Sequence, residues 1–65
     1  MKELYYLYGG YRLIVRYCGN DHAQVSMYDL SELHFPLLWS SSMTYQAANG
    51  AIKLFKAIGY FDMPV

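Results

Sequence analysis

An alternation of apolar and polar side chains near the N-terminus constrains this chain more than any other feature. Over Tyr11 to Tyr17, leucine, valine and tyrosine recur at every second position, with two arginines and an isoleucine between them. This period of two is typical of a β-strand that buries one face. The following Cys18-Gly19-Asn20-Asp21 tolerates the positive φ angles of a turn, and His22 to Asp29 alternates again. The sequence therefore predicts an antiparallel hairpin.

The flanks of this hairpin carry weaker strand signals. The pair Gly9-Gly10 lets the chain bend or bulge, so we interpret Leu4 to Tyr8 as an outward extension of the first strand. Downstream, Phe35 to Trp39 alternates and predicts a third strand. Pro36 has no backbone N–H to donate, which places this strand at a sheet edge or makes it irregular. We expect the serine run Ser40 to Ser42 to end it.

One amphipathic helix is predicted after the strands. Thr44 suits the N-cap, Lys53 and Lys56 suit the C-terminal end, and Gly59 suits the C-cap. We expect Gly50 to permit close packing of the helix on the sheet. The predicted buried stripe recurs at helical spacing and comprises Ala48, Ala51, Ile52, Phe55 and Ile58.

These elements predict an α+β fold in a single domain over residues 1–65. The expected architecture is a three-stranded antiparallel meander followed by one C-terminal helix that packs on one face of the sheet. A chain of 65 residues has room for one small core and for no separate substrate domain. We expect the apolar tail, from Tyr60 to Val65, to pack on the helix or on a partner.

The order of the motifs resembles a known arrangement. It comprises Tyr8 to Val15, a strand that ends at Asp29, a serine pair, Thr44, and an alanine-rich helix through Ala47, Ala48, Ala51 and Phe55. This succession resembles the short, largely uncharacterised bacterial β-β-β-α domains that are frequent in cyanobacteria. The sheet-plus-helix layout is also similar to that of HicB-type antitoxins, and this second resemblance implies a partner toxin and dimerisation.

Charge and cysteine content exclude several classes of function. Five basic residues balance five acidic ones, so the chain has little electrostatic attraction for nucleic acid. A single cysteine cannot form an intramolecular disulfide, which favours a reducing cytoplasm over export. The longest uncharged stretch contains proline, glycine and several serines, so we expect no membrane span.

The residue types of a cysteine enzyme or a metal site are present but poorly arranged. Cys18 and His22 flank the predicted turn, and His34 lies further along the chain. Neither an oxyanion donor nor the usual spacing of zinc ligands accompanies them. We therefore expect no enzyme activity, no catalytic residues, no metal, no cofactor and no small-molecule substrate.

A nucleic-acid-binding or antitoxin-like regulator is the alternative function. It would use the open face of the sheet, where Arg12 and Arg16 share a side with Tyr28 and His22, in an arrangement suited to stacking single-stranded bases. The alternative binding residues are Arg12, Arg16, Lys53 and Lys56.

The aromatic content favours a protein-interaction module. Eight tyrosines, three phenylalanines and one tryptophan supply more ring surface than one helix on three strands can cover. We therefore expect a cytoplasmic, non-catalytic module that forms a homodimer or docks on a larger protein assembly. The expected contact residues are Tyr5, Tyr6, Tyr8, Ile14, Tyr28, Tyr60 and Phe61.

Overall fold

The computed structural model describes residues 2–62, which form one antiparallel sheet and one helix. The strands, in both chain order and sheet order, are β1 (Lys2–Tyr8), β2 (Tyr11–Gly19), β3 (His22–Asp29) and β4 (Leu37–Met43). The helix α1 (Tyr45–Ile58) follows β4. The α+β class is confirmed. The predicted number of strands is wrong, because the sheet has four strands and not three.

The additional strand, β1, forms because Gly9-Gly10 is a tight turn and not a bend within one strand. Gly9 has a φ angle of 59°, in the left-handed region that glycine reaches at little steric cost. The chain reverses there, Tyr8 pairs with Tyr11, and the pairing continues along β1 without a register shift. The segment that we interpreted as an outward extension of the first strand is therefore the edge strand of the sheet.

The predicted hairpin of β2 and β3 is confirmed. Three successive turn residues, Gly19, Asn20 and Asp21, have φ angles of 90°, 52° and 55°. The side chain of Asp21 also accepts a hydrogen bond of 3.2 Å from the backbone N–H of Tyr45. This contact connects the turn to the first residue of α1.

Strand β4 differs from the predicted third strand in its bounds. It begins at Leu37 and runs through the serines that we expected to end it. The hydroxyl group of Ser40 accepts a hydrogen bond of 2.6 Å from the side chain of Gln24 and lies 2.9 Å from the hydroxyl group of Ser26. These side-chain hydrogen bonds stabilise the pairing of β4 with β3. The expectation of an edge or irregular strand after Pro36 is confirmed, because β4 is the second edge and its register shifts near its start.

Both predicted caps of α1 are confirmed. The Thr44 hydroxyl accepts a hydrogen bond of 3.2 Å from the N–H of Ala47, and the N–H of Gly59 donates one of 2.8 Å to the carbonyl group of Phe55. Gly59 has a φ angle of 76°, as the end of a helix often requires. Two expectations about the helix are wrong: Ile58 is 57% exposed, and no atom outside the neighbouring backbone of the helix lies within 4 Å of the position that a Cβ on Gly50 would take.

The hydrophobic core lies between α1 and one face of the sheet. Strands β2 and β3 place alternate side chains there, and the helix contributes the small and aromatic residues of its buried stripe. Phe61 closes one end of the core, and residues 63–65 of the predicted packed tail lie outside the described residues. The buried set is Leu13, Val15, Ala23, Val25, Met27, Ala48, Ala51, Ile52, Phe55 and Phe61.

Among residues 2–62, no helix has the length and apolar character needed to cross a membrane.

Candidate protein-interaction surface

One face of the sheet has no helix on it within the part of the chain that the structure describes. Leu13 and Val15 point into the core under α1, so the alternation of β2 directs Arg12, Ile14 and Arg16 to the opposite, open face. The strand register brings the side chains of this face into rows that cross all four strands. These rows determine which side chains are neighbours on the open face.

Two neighbouring rows create an apolar patch. One row crosses the sheet from β1 to β4 and consists, in order, of Leu7, Arg12, Tyr28 and Leu37. In the next row Tyr5 lies opposite Ile14. We call these apolar side chains the apolar patch; its members are Tyr5, Leu7, Ile14, Tyr28 and Leu37.

Much of the apolar patch is in contact with solvent. Tyr5 is 60% exposed, Leu7 67% and Leu37 52%, whereas Ile14 and Tyr28 are half-buried. An isolated exposed leucine is ordinary in a soluble protein, but a contiguous cluster on one face is typical of an interaction site. The adjacency of these residues across strands is therefore the informative observation.

The loop between β3 and β4 adds exposed apolar side chains at the same end of the sheet. Leu33 is 87% exposed and Phe35 is 53% exposed. Phe35 also has a φ angle of 50°, a region that bulky residues rarely adopt. Unusual backbone conformations of this kind cluster at binding sites, where the surrounding structure holds them in place.

The remainder of the open face is a polar strip formed by β3 and β4. Its hydroxyl and amide groups bond mainly to one another: Ser42 pairs with His22, and Ser40 pairs with Gln24 and Ser26. These hydroxyl, amide and imidazole groups therefore bond to one another across β3 and β4. The open face therefore has its apolar side chains in the row of Leu7, Tyr28 and Leu37 and at the neighbouring Tyr5 and Ile14, and the remainder of β3 and β4 on this face is polar.

An ion pair borders the apolar patch on β1 and β2. The Arg16 guanidinium donates a hydrogen bond of 2.7 Å to the Glu3 carboxylate, and the Tyr5 hydroxyl donates a second hydrogen bond to that carboxylate. The hydrogen bond from Tyr5, followed by that from Arg16, holds the pKa of Glu3 below its ordinary value of 4.5. The same bond raises the pKa of the Tyr5 hydroxyl above 10.0.

The predicted contact residues divide between the two faces of the sheet. Tyr5, Ile14 and Tyr28 lie on the open face, in the apolar patch. The alternation of β1 sends Tyr6 and Tyr8 to the helix face, where Lys56 lies 4.9 Å from the centre of the Tyr6 ring.

The aromatic residues of the tail also pack on this chain. The ring of Tyr60 lies 5.3 Å from that of Tyr11, and the ring of Phe61 lies 5.5 Å from that of Trp39. Phe61 belongs to the core, so its side chain does not form part of an exposed contact surface. Sequence reasoning did not include Leu7 and Leu37 among the contact residues. The period-two spacing of Leu7 from Tyr5 is the signal for the first, whereas Leu37 lies on the open face only because of the register shift that separates it from Trp39.

The residues proposed for nucleic-acid binding do not form one surface. Arg12 and Arg16 lie on the open face, whereas Lys53 and Lys56 lie on α1, on the other side of the sheet. Arg16 is also paired with Glu3, which reduces the positive charge available to a phosphate group.

Cys18 and His22 do not bond to each other. The Cys18 thiol is exposed and lies 3.5 Å from the carbonyl oxygen of Arg16, while His22 pairs with Ser42. His34 is exposed in the loop between β3 and β4. Among residues 2–62, no three histidine, cysteine or acidic side chains are grouped as metal ligands would be.

Comparison with known proteins finds no matching family model, no matching curated protein and no matching solved structure. The resemblances to bacterial β-β-β-α domains and to HicB-type antitoxins therefore stay predictions.

Proposed function

We propose that this chain is a non-catalytic protein-interaction module that self-associates or docks on a larger protein assembly. The observation that supports this function is the apolar patch on the open face of the sheet. Its five side chains are neighbours across the strands and lie opposite the core face that α1 covers. Covering such a patch removes apolar surface from water, the main favourable term in protein association.

The chemistry of the open face suits a protein partner. Tyr5 and Tyr28 combine an apolar ring with a hydroxyl group that can remain hydrated at the rim of a contact. Arg12 lies in the row between Leu7 and Tyr28, and arginine surrounded by apolar groups is enriched among the residues that dominate binding energies. The polar strip beside the apolar patch supplies a hydrated border.

A matched pair of lysine substitutions on the open face tests the proposal. Ile14→Lys places a charge in the apolar patch, and Gln24→Lys places the same charge in the polar strip. We expect the wild-type chain and Gln24→Lys to self-associate in light scattering, or to retain the same protein from a lysate of the host cell. We expect Ile14→Lys to do neither, because burying an unpaired ammonium group in an apolar contact is costly.

Circular dichroism verifies that both variants keep the fold. A wild-type chain that stays monomeric and retains no protein would overturn the proposed function. The proposal is also wrong if Ile14→Lys and Gln24→Lys behave alike, because binding would then not depend on the apolar patch.

A further inference from the structure

The edge strand β1 has apolar side chains on both of its faces. Leu4 and Tyr6 lie on the helix face, and Tyr5 and Leu7 lie on the open face. Edge strands usually carry charges, proline or bulges that discourage pairing with another chain. The other edge follows this rule, because β4 comes directly after Pro36, contains three serines and has a register shift. The two charged residues of β1, Lys2 and Glu3, lie at its N-terminal end, and from Leu4 to Tyr8 the strand resembles in composition an internal strand that lacks a neighbour.

The backbone hydrogen bonds show which groups of β1 face outward. Along an antiparallel strand, consecutive residues direct their N–H and C=O groups alternately to the two sides. The N–H of Leu30 donates a hydrogen bond of 2.6 Å to the C=O of Gly10. Every second residue from Gly10 along β2 therefore directs its backbone N–H and C=O groups toward β3. The residues between them direct their backbone groups toward β1, where they bond to their register partners Lys2, Leu4, Tyr6 and Tyr8. The outward-facing backbone groups of β1 are therefore those of Glu3, Tyr5 and Leu7.

We infer that β1 pairs in the antiparallel direction with β1 of a second copy of this chain, about a two-fold axis at Tyr5. The two sheets then join into one sheet of eight strands. Because the proposed function requires a protein partner, this pairing rests on it and identifies that partner as a second copy.

The register follows from the outward groups. With Tyr5 opposite Tyr5 of the second copy, Glu3 lies opposite Leu7, and all three outward residues of each strand are paired. Moving the axis one residue toward the N-terminus, to Leu4, leaves the outward groups of Leu7 without a partner in the strand, because β1 begins at Lys2. Moving it one residue further, to Glu3, places the two Glu3 carboxylates opposite each other, which is unfavourable. A shift toward the C-terminus leaves Glu3 without a partner in the strand, because β1 ends at Tyr8.

The charges on the open face fit this register. Glu3 already pairs with Arg16 of its own chain. On its other side, Glu3 lies opposite Leu7 of the second copy. In that second copy, Arg12 of β2 lies opposite Leu7. Neighbouring strands are about 4.8 Å apart, so Arg12 of the second copy lies about 10 Å from Glu3 across two strands, a distance that the two side chains can span. Each Glu3 then lies between two guanidinium groups.

A substitution that removes one outward backbone donor tests the pairing. Tyr5→Pro deletes the N–H that faces away from β2, which proline tolerates on an edge strand, and Tyr5→Thr removes the ring but keeps that N–H. We expect Tyr5→Pro to raise the dimer dissociation constant in sedimentation equilibrium by about tenfold to a hundredfold relative to Tyr5→Thr, because each dimer loses two hydrogen bonds. Equal dissociation constants for the two variants would overturn the pairing.

Cysteine cross-linking tests the register without a proline. In a Cys18→Ser background, Tyr5→Cys places two cysteines opposite each other with Cα atoms about 5.5 Å apart, within disulfide range. Leu7→Cys is the matched control, because the two copies of this residue are four positions out of register and about 14 Å apart. We expect rapid disulfide dimers from Tyr5→Cys only. Equal and slow cross-linking of both variants would contradict the register.

The two proposals fail in different ways. If the wild-type chain dimerises and Ile14→Lys abolishes the dimer while Tyr5→Pro matches Tyr5→Thr, the edge pairing is wrong and the apolar patch is supported. If Tyr5→Pro weakens the dimer and Ile14→Lys does not, the edge pairing is supported, and the contact does not extend from β1 to the rest of the apolar patch. A wild-type chain that remains monomeric at all concentrations overturns the pairing, whether or not the patch binds another protein.

Discussion

The ring of Tyr8 lies against Gly59 so closely that a Cβ atom on Gly59 would stand 2.7 Å from Cδ1 of Tyr8. The same tyrosine ring meets Phe55 edge to face, with 6.2 Å between the ring centres. Tyr8 is the last residue of β1, and Gly59 directly follows α1. The contact therefore attaches the end of the helix to the edge strand.

Gly59→Ala should destabilise the fold. Alanine at this position combines a positive φ angle of 76° with the close contact to Tyr8. A residue other than glycine in such a conformation costs about 1–3 kcal/mol, and displacement of the ring adds to that cost. Urea denaturation followed by circular dichroism measures the change in the free energy of unfolding. An unchanged midpoint would show that the ring of Tyr8 does not pack on Gly59.

Gly50→Ala should have the opposite effect. Gly50 lies within α1, its backbone has no positive φ angle, and the position of a Cβ atom there is open space. It borders a groove of about 300 Å³ on the surface, which leaves room for a methyl group. Replacing an interior helical glycine with alanine should stabilise the fold by about 0.5–1 kcal/mol in the same denaturation experiment. Destabilisation would indicate the close packing that the sequence suggested.

Trp39→Phe tests the contact between β4 and the tail. The indole N–H of Trp39 donates a hydrogen bond of 2.8 Å to the backbone carbonyl group of Phe61. Phenylalanine keeps most of the ring but leaves this part-buried carbonyl group without its donor, which should lower the free energy of unfolding by about 1–2 kcal/mol. Circular dichroism in urea again gives the value, and no loss of stability would show that water replaces the indole.

The acidity of Glu3 should depend on Tyr5. Hydrogen bonds from Tyr5 and then from Arg16 favour the carboxylate, so the pKa of Glu3 in the folded chain lies below its ordinary value of 4.5. The resulting stabilisation is fully present above the unfolded-state pKa and is lost as the pH falls through the lower, folded-state pKa. Tyr5→Phe should raise the pKa of Glu3 toward its ordinary value in an NMR titration, whereas Tyr28→Phe should leave it unchanged. A Glu3 pKa that Tyr5→Phe does not alter would contradict this assignment.

The parts of the fold that the sequence predicted correctly depend on local signals. The hairpin of β2 and β3 has strict alternation around a turn of residues that tolerate positive φ, and α1 has a hydroxyl N-cap and a glycine C-cap. Such signals involve neighbours in the sequence and need no knowledge of the remaining fold.

The parts that it predicted wrongly depend on contacts between distant segments. Leu4 to Tyr8 has no polar alternation, because both of its faces are apolar, so its period did not reveal a separate strand. Ser40 and Ser42 remain in β4 because side chains of β3 bond to their hydroxyl groups, which the serine run alone does not show. The apolar patch and the polar strip of the open face arise only when the register aligns four strands.

Amide hydrogen exchange on β1, followed by NMR over a wide range of protein concentration, tests most directly whether a second copy completes the sheet. The N–H of Asp29 donates to the carbonyl group of Pro36, so alternate residues of β3 bond to Trp39, Ser41 and Met43, and the amides of Ser40 and Ser42 between them face outward. These two amides, on the other edge of the sheet, serve as the internal control. We expect the amides of Glu3, Tyr5 and Leu7 to gain protection as the concentration rises while those of the control stay unprotected. If the three β1 amides exchange as fast as unprotected amides at every protein concentration, the pairing is wrong.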